Sequence, residues 1–251
     1  MIEVKNISKS YQTTNILNNL SLIIPQQRLT TIIGPNGAGK STLIGMISRI
    51  IPPTSGDVLI NGVSIFKQKS NELAKKLSIL KQDNHILLKL TVEELVSFGR
   101  YPHSFGKLTP IDHVKIKEAI TYMDLESLQH QLIHTLSGGE RQRAYIAMIL
   151  AQDTDYIILD EPLNSVDIKH AKELMTRIRR LVDELGKTVV VVLHDINFAS
   201  SYSDYIIALK RGDVVFSGTP DDLMHQHILT QIYDIPFTIA KNNNKKIGIY
   251  Y

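Results

Sequence analysis

The sequence predicts an α/β fold built on a mainly parallel sheet. Residues 156–159 and 188–193 form nearly continuous runs of apolar residues, as expected of strands that are buried on both faces. Helical patterns separate these two runs. Residues 29–33 form a third apolar strand, which leads through a glycine-rich loop into an apolar-periodic helix over 42–50. Strands that alternate with helices in this way are typical of a parallel sheet.

Composition limits the classes of protein that the chain can belong to. The 251 residues are 43% hydrophobic and 21% charged, which is ordinary for one large or two closely joined globular domains. A net charge of +3 is too small to indicate nucleic acid as the main partner. The absence of cysteine excludes disulfides and cysteine metal sites. The apolar runs are far shorter than the roughly 18 residues of a membrane span, and we expect no signal peptide.

Local signals predict the other elements in order. Residues 16–24 are rich in branched apolar residues and predict an early strand, and 214–217 predict a late one. Thr91 opens a helix over 91–98 with a Thr-x-x-Glu capping box, and Thr109-Pro110 and Thr219-Pro220 are good helix starts. The middle of the chain should therefore be mostly helical. The polar run 241–246 is predicted as a solvated tail or turn.

The first motif that carries chemistry is the loop GPNGAGKST. It matches the pattern G-x-x-x-x-G-K-[ST], in which glycines let backbone amides approach phosphate oxygens. We expect Lys40 to reach the β- and γ-phosphates and Ser41 to ligate Mg²⁺. The predicted nucleotide-binding residues here are Gly34, Pro35, Asn36, Gly37, Ala38, Gly39, Lys40, Ser41 and Thr42. The loop alone does not separate transporters from GTPases, kinases or helicases, and a merely flexible loop is the alternative.

Two further motifs follow the phosphate loop. LSGGE (136–140) precedes an apolar helix over 144–150, so it is either a second anion site or a serine N-cap after a glycine turn. YIILDE (156–161) is an apolar strand that ends in two carboxylates. Because consecutive residues point in different directions, Asp160 can hold Mg²⁺ while Glu161 addresses an attacking water. The alternative for this pair is a solvated strand end.

Taken in order, these motifs resemble the nucleotide-binding subunits of ABC transporters over essentially the whole chain. The resemblance implies that Tyr11 stacks on adenine, that Gln82 is the Q-loop glutamine, that Asp167 closes the D-loop and that His194 is the switch histidine. Taken alone, Tyr11 and Gln82 would be surface residues and His194 a core histidine. The fold implied is a P-loop NTPase core with a parallel sheet, an N-terminal antiparallel β subdomain and a helical signature subdomain. One domain over 1–251 would then comprise a core of 1–82 and 156–251 and a helical part of 83–155.

The resemblance also implies a mechanism that uses ATP and Mg²⁺. Two copies would form a head-to-tail dimer in which Ser137, Gly138 and Gly139 of one close over the γ-phosphate held by Lys40 of the other. The catalytic residues implied are Glu161, His194, Lys40 and Gln82, and the metal site implied is Ser41, Gln82 and Asp160. The turn after Glu161 departs from the commonest family pattern, because Leu163 replaces a frequent threonine and 164–167 read NSVD.

Three short strings narrow the transporter class: FGRYPH (98–103), DEPLN (160–164) and HDIN (194–197). They resemble importers of iron–siderophore complexes, with importers of haem, vitamin B12 or metals as alternatives and an exporter as a more distant one. The partners implied are permease subunits and, indirectly, a siderophore-binding lipoprotein, at the cytoplasmic face of the cell membrane. Interface contacts with the permease are predicted among Leu87, Leu88, Leu90 and Tyr101. A DNA-repair ATPase would separate the motifs by far more than the 96 residues between Lys40 and Leu136.

Overall fold

The computed structural model describes residues 1–82, 89–164, 166–242 and 245–250, with the side chain of Asn242 left out. The strands in chain order are β1 (Ile2–Tyr11), β2 (Thr14–Ile24), β3 (Leu29–Ile33), β4 (Ser55–Ile60), β5 (Val63–Ser64), β6 (Leu77–Leu80), β7 (Tyr156–Asp160), β8 (Thr188–Val192), β9 (Tyr205–Lys210), β10 (Asp213–Gly218), β11 (Thr238–Asn242) and β12 (Lys245–Ile249).

The helices in chain order are α1 (Lys40–Ile47), α2 (Ser70–Ala74), α3 (Val92–Ser97), α4 (Tyr101–Ser104), α5 (Pro110–Tyr122), α6 (Gly138–Ala151), α7 (Ile168–Asp183), α8 (Ile196–Tyr202), α9 (Pro220–Leu223) and α10 (Gln226–Tyr233). Short 3-10 turns join some of them, including one over Phe98–Arg100 between α3 and α4. In the part of the chain that the structure describes, we find no helix with the length and apolar character needed to span a membrane.

The chain divides into two compact units. The first unit contains Met1–Gln68 and Arg179–Tyr251, and the second unit contains Lys69–Ile178. The division therefore falls inside α7.

An antiparallel sheet occupies the N-terminal part of the first unit, with the strand order β2-β1-β4-β5. Strand β1 pairs with both β2 and β4, so that Ile2 lies opposite Ile24 on one side and Ile60 on the other. In β2, Leu20, Leu22 and Ile24 are buried and the residues between them are exposed, which is the period-2 pattern of a sheet with one solvated face.

The first unit also contains parallel strands. Strand β3 lies between β8 and β9 and runs parallel to both, and β10 continues this part of the sheet as the antiparallel neighbour of β9. Every residue of β3 and β8 is buried, as expected for strands covered on both faces. Helix α8 contacts both β3 and the C-terminal strand β12.

The second unit combines a parallel strand pair with a helical cluster. Strands β6 and β7 run parallel, with Leu80 opposite Leu159 near their carboxyl ends. Helices α3 and α5 contact each other, and both contact α6. The contacts are apolar, since Leu95, Ala119 and Ile146 are each almost completely buried. The cluster thus supports α6 along its length.

Most elements lie where the sequence predicted them. Strands β2, β3, β7, β8 and β10 are confirmed, and Thr91, Thr109 and Thr219 are the N-caps of α3, α5 and α9 with capping boxes formed. The predicted helix over 42–50 is wrong in its bounds, because α1 begins at Lys40 and ends at Ile47. The helix that follows Thr219 ends after one turn at Leu223.

The prediction of a solvated tail or turn over 241–246 is wrong for most of that run. Lys241 and Lys245 belong to β11 and β12, which form an antiparallel hairpin, whereas residues 243–244 lie outside the described residues. This run is polar although it forms strands, because the side chains of Lys241 and Lys245 are both exposed to solvent. Strand β1 was not predicted at all. Its register shifts near Ile7 and Lys9 break the simple alternation that marks a strand.

Candidate functional site

The phosphate loop connects β3 to α1 in the first unit. Gly34 has a φ of 142°, and a Cβ there would lie 2.1 Å from the carbonyl oxygen of Leu209. Gly39, the N-cap of α1, has a φ of 99°, and a Cβ there would lie 2.6 Å from Leu17 Cδ2. Both positions therefore require glycine, for conformation as well as for space. The result is a loop of bare backbone at the amino end of a helix, the arrangement that binds phosphate groups.

Lys40 lies along this loop. Its side chain is only 6% exposed, and its ammonium donates hydrogen bonds to the carbonyl oxygens of Gly34 at 2.9 Å and Pro35 at 3.1 Å. A buried ammonium with carbonyl partners is a positive charge held in position before any anion arrives. Ser41 is exposed at the start of α1, where its hydroxyl is accessible to a metal ion.

His194 lies at the same edge of the first unit as the phosphate loop. Strands β3 and β8 are parallel with Ile32 opposite Val192, so Gly34 and His194 each stand two residues beyond a matched pair. His194 is exposed, and the alternative that it is a core histidine is wrong. The following residue, Asp195, is the N-cap of α8, and its carboxylate accepts hydrogen bonds from the N–H groups of Asn197 and Phe198 at 2.7 and 2.9 Å.

Tyr11 ends β1 and is 49% exposed. The ammonium of Lys9 lies 4.9 Å from the centre of its ring, a cation–π contact. An exposed ring at the end of a strand can stack on a planar base, as the resemblance predicts. Tyr233 in α10 is a residue near the loop that sequence reasoning missed. Burial raises the pKa of Tyr233 above its ordinary value, and the backbone N–H of Gly34 is close enough to oppose that rise.

In the second unit, Gln82 and Glu161 share the carboxyl edge of the strand pair. Leu80 lies opposite Leu159, so Gln82 and Glu161 each follow a matched pair by two residues. Gln82 is exposed. Asp160 ends β7 with only 7% exposure, and Glu161, the next residue, has a left-handed φ of 51°. The backbone thus leaves the extended conformation of β7 at Glu161, directly after Asp160.

The signature motif starts α6. Ser137 is the N-cap, and its hydroxyl accepts a hydrogen bond from the N–H of Glu140 at 3.3 Å and donates to Glu140 Oε2 at 2.7 Å. The serine N-cap that sequence reasoning held as the alternative is therefore present. Gly138 and Gly139 begin a helix of 14 residues, so the amino terminus of this helix can still attract an anion.

His170 lies beside both the signature and the D-loop of the second unit. Its backbone N–H donates to Asp167 Oδ1 at 3.0 Å, and its ring hydrogen bonds Asp167 Oδ2. The hydrogen bonds from His170 lower the pKa of Asp167. A Cβ on Gly139 would lie 3.2 Å from the His170 side chain. Sequence reasoning missed His170, and nothing in its local pattern marks it.

The residues present fit a magnesium nucleotide. In the first unit, the bare loop backbone and the buried ammonium suit a polyphosphate, and the hydroxyl of Ser41 is an oxygen ligand of the kind that Mg²⁺ prefers. In the second unit, the carboxylate of Asp160 is another ligand of that kind. Among the described residues, no group of three or more His, Cys, Asp or Glu side chains could hold a metal ion by itself.

The fold and these motifs define a nucleotide hydrolase of the P-loop class, and comparison with known proteins identifies its family. The ABC transporter family matches residues 17–164. The petrobactin import ATP-binding protein YclP of Bacillus subtilis is 52% identical over 251 residues, which cover 100% of each chain. The ferric enterobactin transport ATP-binding protein FepC of Escherichia coli is 38% identical, with 92% of this chain and 86% of that protein covered.

Solved structures agree. The dimeric structure of MJ0796, a bacterial ABC transporter cassette, matches with a TM-score of 0.77 and 33% identity, covering 88% of this chain and 99% of that one. The same cassette has been solved in a post-hydrolysis state bound to ADP and Pi, with 32% identity to this chain. The chain belongs to the ABC transporter family and is an ATPase cassette. The predicted fold class is confirmed.

Proposed function

We propose that this chain is the ATP-hydrolysing subunit of a transporter that imports iron–siderophore complexes across the cytoplasmic membrane. The observation that carries the proposal is the pair of relatives named above. Both are siderophore import or transport ATP-binding proteins, and YclP aligns from end to end at 52% identity. The strings FGRYPH, DEPLN and HDIN point to the same class from the sequence alone.

In the nucleotide site we assign the triphosphate of ATP to the loop from Gly34 to Thr42. The ammonium of Lys40 would exchange its carbonyl partners for β- and γ-phosphate oxygens, which are stronger acceptors because they are charged. Mg²⁺ would be held by Ser41, Asp160 and Gln82 and would neutralise phosphate charge. Tyr11 would stack on adenine.

For hydrolysis we assign Glu161 to the attacking water and His194 to the γ-phosphate. Phosphoryl transfer depends mainly on positioning and electrostatics, so a carboxylate fixed at the edge of the strand pair suits the first role. His194 is exposed and lies at the same sheet edge as Gly34, which supports its assignment to the γ-phosphate. Gln82 would link the metal ion and the attacking water to the interface with the membrane subunits of the transporter.

The active form would be a head-to-tail dimer of two copies. Ser137, Gly138 and Gly139 begin α6 and present a helix amino terminus, which attracts the γ-phosphate held by the other copy. Asp167 would contribute to the same interface. That arrangement makes hydrolysis depend on closure of the dimer, and the dimeric relative MJ0796 supports it.

Outside the dimer we assign permease subunits as partners and the cytoplasmic face of the membrane as the location, with a siderophore-binding lipoprotein as an indirect partner. Tyr101 is 59% exposed and Leu90 is half-buried, so both can contribute to a permease interface. Leu87 and Leu88, predicted for the same interface, lie outside the described residues. No nucleic-acid partner is proposed.

The assignment of the site is tested by ATP turnover of the purified chain. Glu161→Gln should bind ATP normally but hydrolyse it at least about a hundredfold more slowly, the usual range of general-base catalysis. Lys40→Ala should lose nucleotide binding or hydrolysis. Lys241→Ala, an exposed residue of β11, is the control and should behave like the unsubstituted chain. Normal turnover by Glu161→Gln would remove Glu161 from its role.

The cargo is tested by uptake in cells that lack this chain. Uptake of ferric catecholate or hydroxamate siderophores should fall on deletion and return with the unsubstituted chain but not with Glu161→Gln. Uptake of haem and cobalamin should not change. Loss of cobalamin or haem uptake alone would contradict the siderophore assignment and leave the ATPase assignment intact.

A further inference from the structure

Asn164 contacts Glu161 twice. Its side-chain Nδ2 donates a hydrogen bond to Glu161 Oε2 at 2.6 Å, and its backbone N–H donates to the Glu161 carbonyl at 3.2 Å. The second bond closes a four-residue turn directly after β7, with Pro162 at its second position. Proline fixes its own φ and so restricts this turn. Asn164 thus stands at a fixed place relative to the backbone of Glu161.

The side-chain bond restricts the Glu161 carboxylate. A free glutamate side chain has several rotatable bonds and samples many rotamers, and selecting one of them costs conformational entropy. The Asn164 amide is carried by a shorter side chain on an already closed turn, so part of that entropy cost is paid on folding. The carboxylate is therefore partly ordered before ATP or water arrives.

The chemistry of the pair is compatible with a reacting carboxylate. An ionised carboxylate has about four acceptor positions, and the hydrogen bond from Asn164 at Oε2 takes one of them. The amide is neutral and adds no formal charge beside the γ-phosphate. A lysine or arginine at the same place would form an ion pair with Glu161 instead.

We propose that Asn164 is a positioning residue, which holds the Glu161 carboxylate in the orientation needed to address the attacking water. This inference rests on the proposed function, in which Glu161 is the residue that addresses that water. One feature of the sequence points to the same residue, because NSVD departs from the commonest family pattern at the position of Asn164.

Three substitutions of Asn164 separate the side-chain bond from the turn, because all of them keep the backbone N–H. Asn164→Asp keeps the size but replaces the donor by a second carboxylate. Asn164→Ala removes the donor without adding charge, and Asn164→Gln keeps an amide donor on a longer side chain. Leu163→Met, a volume-conserving change in the same turn, is the matched control.

The measurement is single-turnover hydrolysis of labelled ATP with the full chain in excess, alongside nucleotide binding at equilibrium. Asn164→Ala should hydrolyse ATP about threefold to tenfold more slowly, and Asn164→Asp more slowly still, with nucleotide affinity within about twofold, because only transition-state positioning is lost. Asn164→Gln should recover part of the rate, and Leu163→Met should keep all of it. Full rates for Asn164→Ala and Asn164→Asp would overturn the proposal.

A double-mutant cycle excludes a purely structural role. In the Glu161→Gln background, Asn164→Ala should cause no further loss, since a residue that acts through Glu161 has nothing left to position. A multiplicative loss would show that Asn164 acts elsewhere and would overturn the inference. Failure of the proposed function appears differently, as normal turnover by Glu161→Gln alone.

Discussion

The side-chain amide of Asn197 forms two hydrogen bonds with the backbone of Gly248, in the way that a residue of a neighbouring strand would. The side-chain Nδ2 of Asn197 donates to the Gly248 carbonyl at 3.1 Å, and the Gly248 N–H donates to Asn197 Oδ1 at 2.9 Å. Asn197 lies three residues after His194, in the first turn of α8. The C-terminal hairpin is therefore attached directly to the helix that follows the proposed switch histidine.

The attachment predicts graded losses at Asn197. Asn197→Asp keeps the acceptor and loses one hydrogen bond, whereas Asn197→Ala loses both and should weaken the hairpin by about 1–2 kcal/mol. Amide hydrogen exchange at Gly248 is the readout. Exchange should accelerate in the order unsubstituted, Asp, Ala. Equal protection of Gly248 in all three would show that the pair contributes nothing to the attachment.

Helix α6 is held at its carboxyl end by residues of the FGRYPH string. Arg100 donates from Nη1 to the Ala151 carbonyl at 2.8 Å, and His103 Nε2 lies 3.0 Å from the Gln152 carbonyl. A Cβ on Gly99 would lie 2.0 Å from the Met148 carbonyl oxygen. The residues of this string therefore have a structural role that does not depend on the cargo. They support α6, and the other end of α6 carries the signature motif.

Gly99→Ala should be strongly destabilising. The added methyl group meets backbone rather than a flexible side chain, so the chain has to separate from α6 at a cost of about 3 kcal/mol, near the upper end for overpacking. Urea unfolding followed by circular dichroism measures the change. Lys107 is an exposed residue nearby, so Lys107→Ala is the control and should change the free energy of unfolding very little. A loss no larger than that of the control would contradict the close approach.

The ion pair between Arg100 and Asp112 is buried. Arg100 Nε lies 2.8 Å from Asp112 Oδ1, and the two side chains are 6% and 4% exposed. Hydrogen bonds from Thr109, side chain first and backbone second, lower the pKa of Asp112 from 3.8 to about 2, with a further contribution from Arg100. The carboxylate therefore stays ionised in the folded protein well below the pH at which it would protonate when unfolded.

This shift sets the pH dependence of Asp112→Asn. The lowered pKa stabilises the fold above pH 3.8, and that contribution is lost as pH falls toward about 2. At neutral pH, Asp112→Asn leaves Arg100 buried without its charge partner and should cost about 3 kcal/mol. The difference in urea midpoint between the two proteins should shrink between pH 4 and pH 2.5, because Asp112 takes up a proton in the unfolded chain over this range while it stays mostly ionised in the folded protein.

Asp222→Asn is the matched control for that experiment. Thr219-Pro220-Asp221-Asp222 forms the same type of capping box as Thr109-Pro110-Ile111-Asp112. Asp222 is exposed, whereas Asp112 is buried against Arg100, so substitution of Asp222 should cost less at every pH. Equal losses for the two variants would assign the effect to the capping box rather than to the ion pair.

Local patterns account for what could be predicted. The phosphate loop spans the nine consecutive residues 34–42, and each of the capping boxes at Thr91, Thr109 and Thr219 spans four, so a sequence displays them directly. The pairs Arg100 with Asp112 and Asn197 with Gly248 join separate elements across 12 and 51 residues. Tertiary packing creates those contacts, and no periodicity marks them. The hairpin of β11 and β12 was missed because exposed lysines and asparagines carry no apolar alternation.

The last prediction concerns Glu140, which holds the signature serine. Glu140 Oε2 accepts hydrogen bonds from the Ser137 hydroxyl at 2.7 Å and the Ser137 N–H at 2.9 Å, and these bonds lower the pKa of Glu140, the hydroxyl contributing most. The carboxylate therefore remains ionised at neutral pH. In the proposed dimer it places a negative charge beside the incoming γ-phosphate and occupies the serine proton that could be donated to it.

Glu140→Gln should therefore lower the ATP concentration that gives half-maximal dimerisation, by about threefold, which corresponds to a repulsion of somewhat less than 1 kcal/mol between screened charges. Dimerisation measured by size-exclusion chromatography or light scattering, in the Glu161→Gln background to prevent turnover, gives the value. The effect should diminish as salt is raised. Glu94→Gln, which changes the equivalent residue of the Thr91 capping box, is the control for any loss of helix stability. An equal shift in both variants, or none in Glu140→Gln, would show that the Glu140 charge does not oppose closure over ATP.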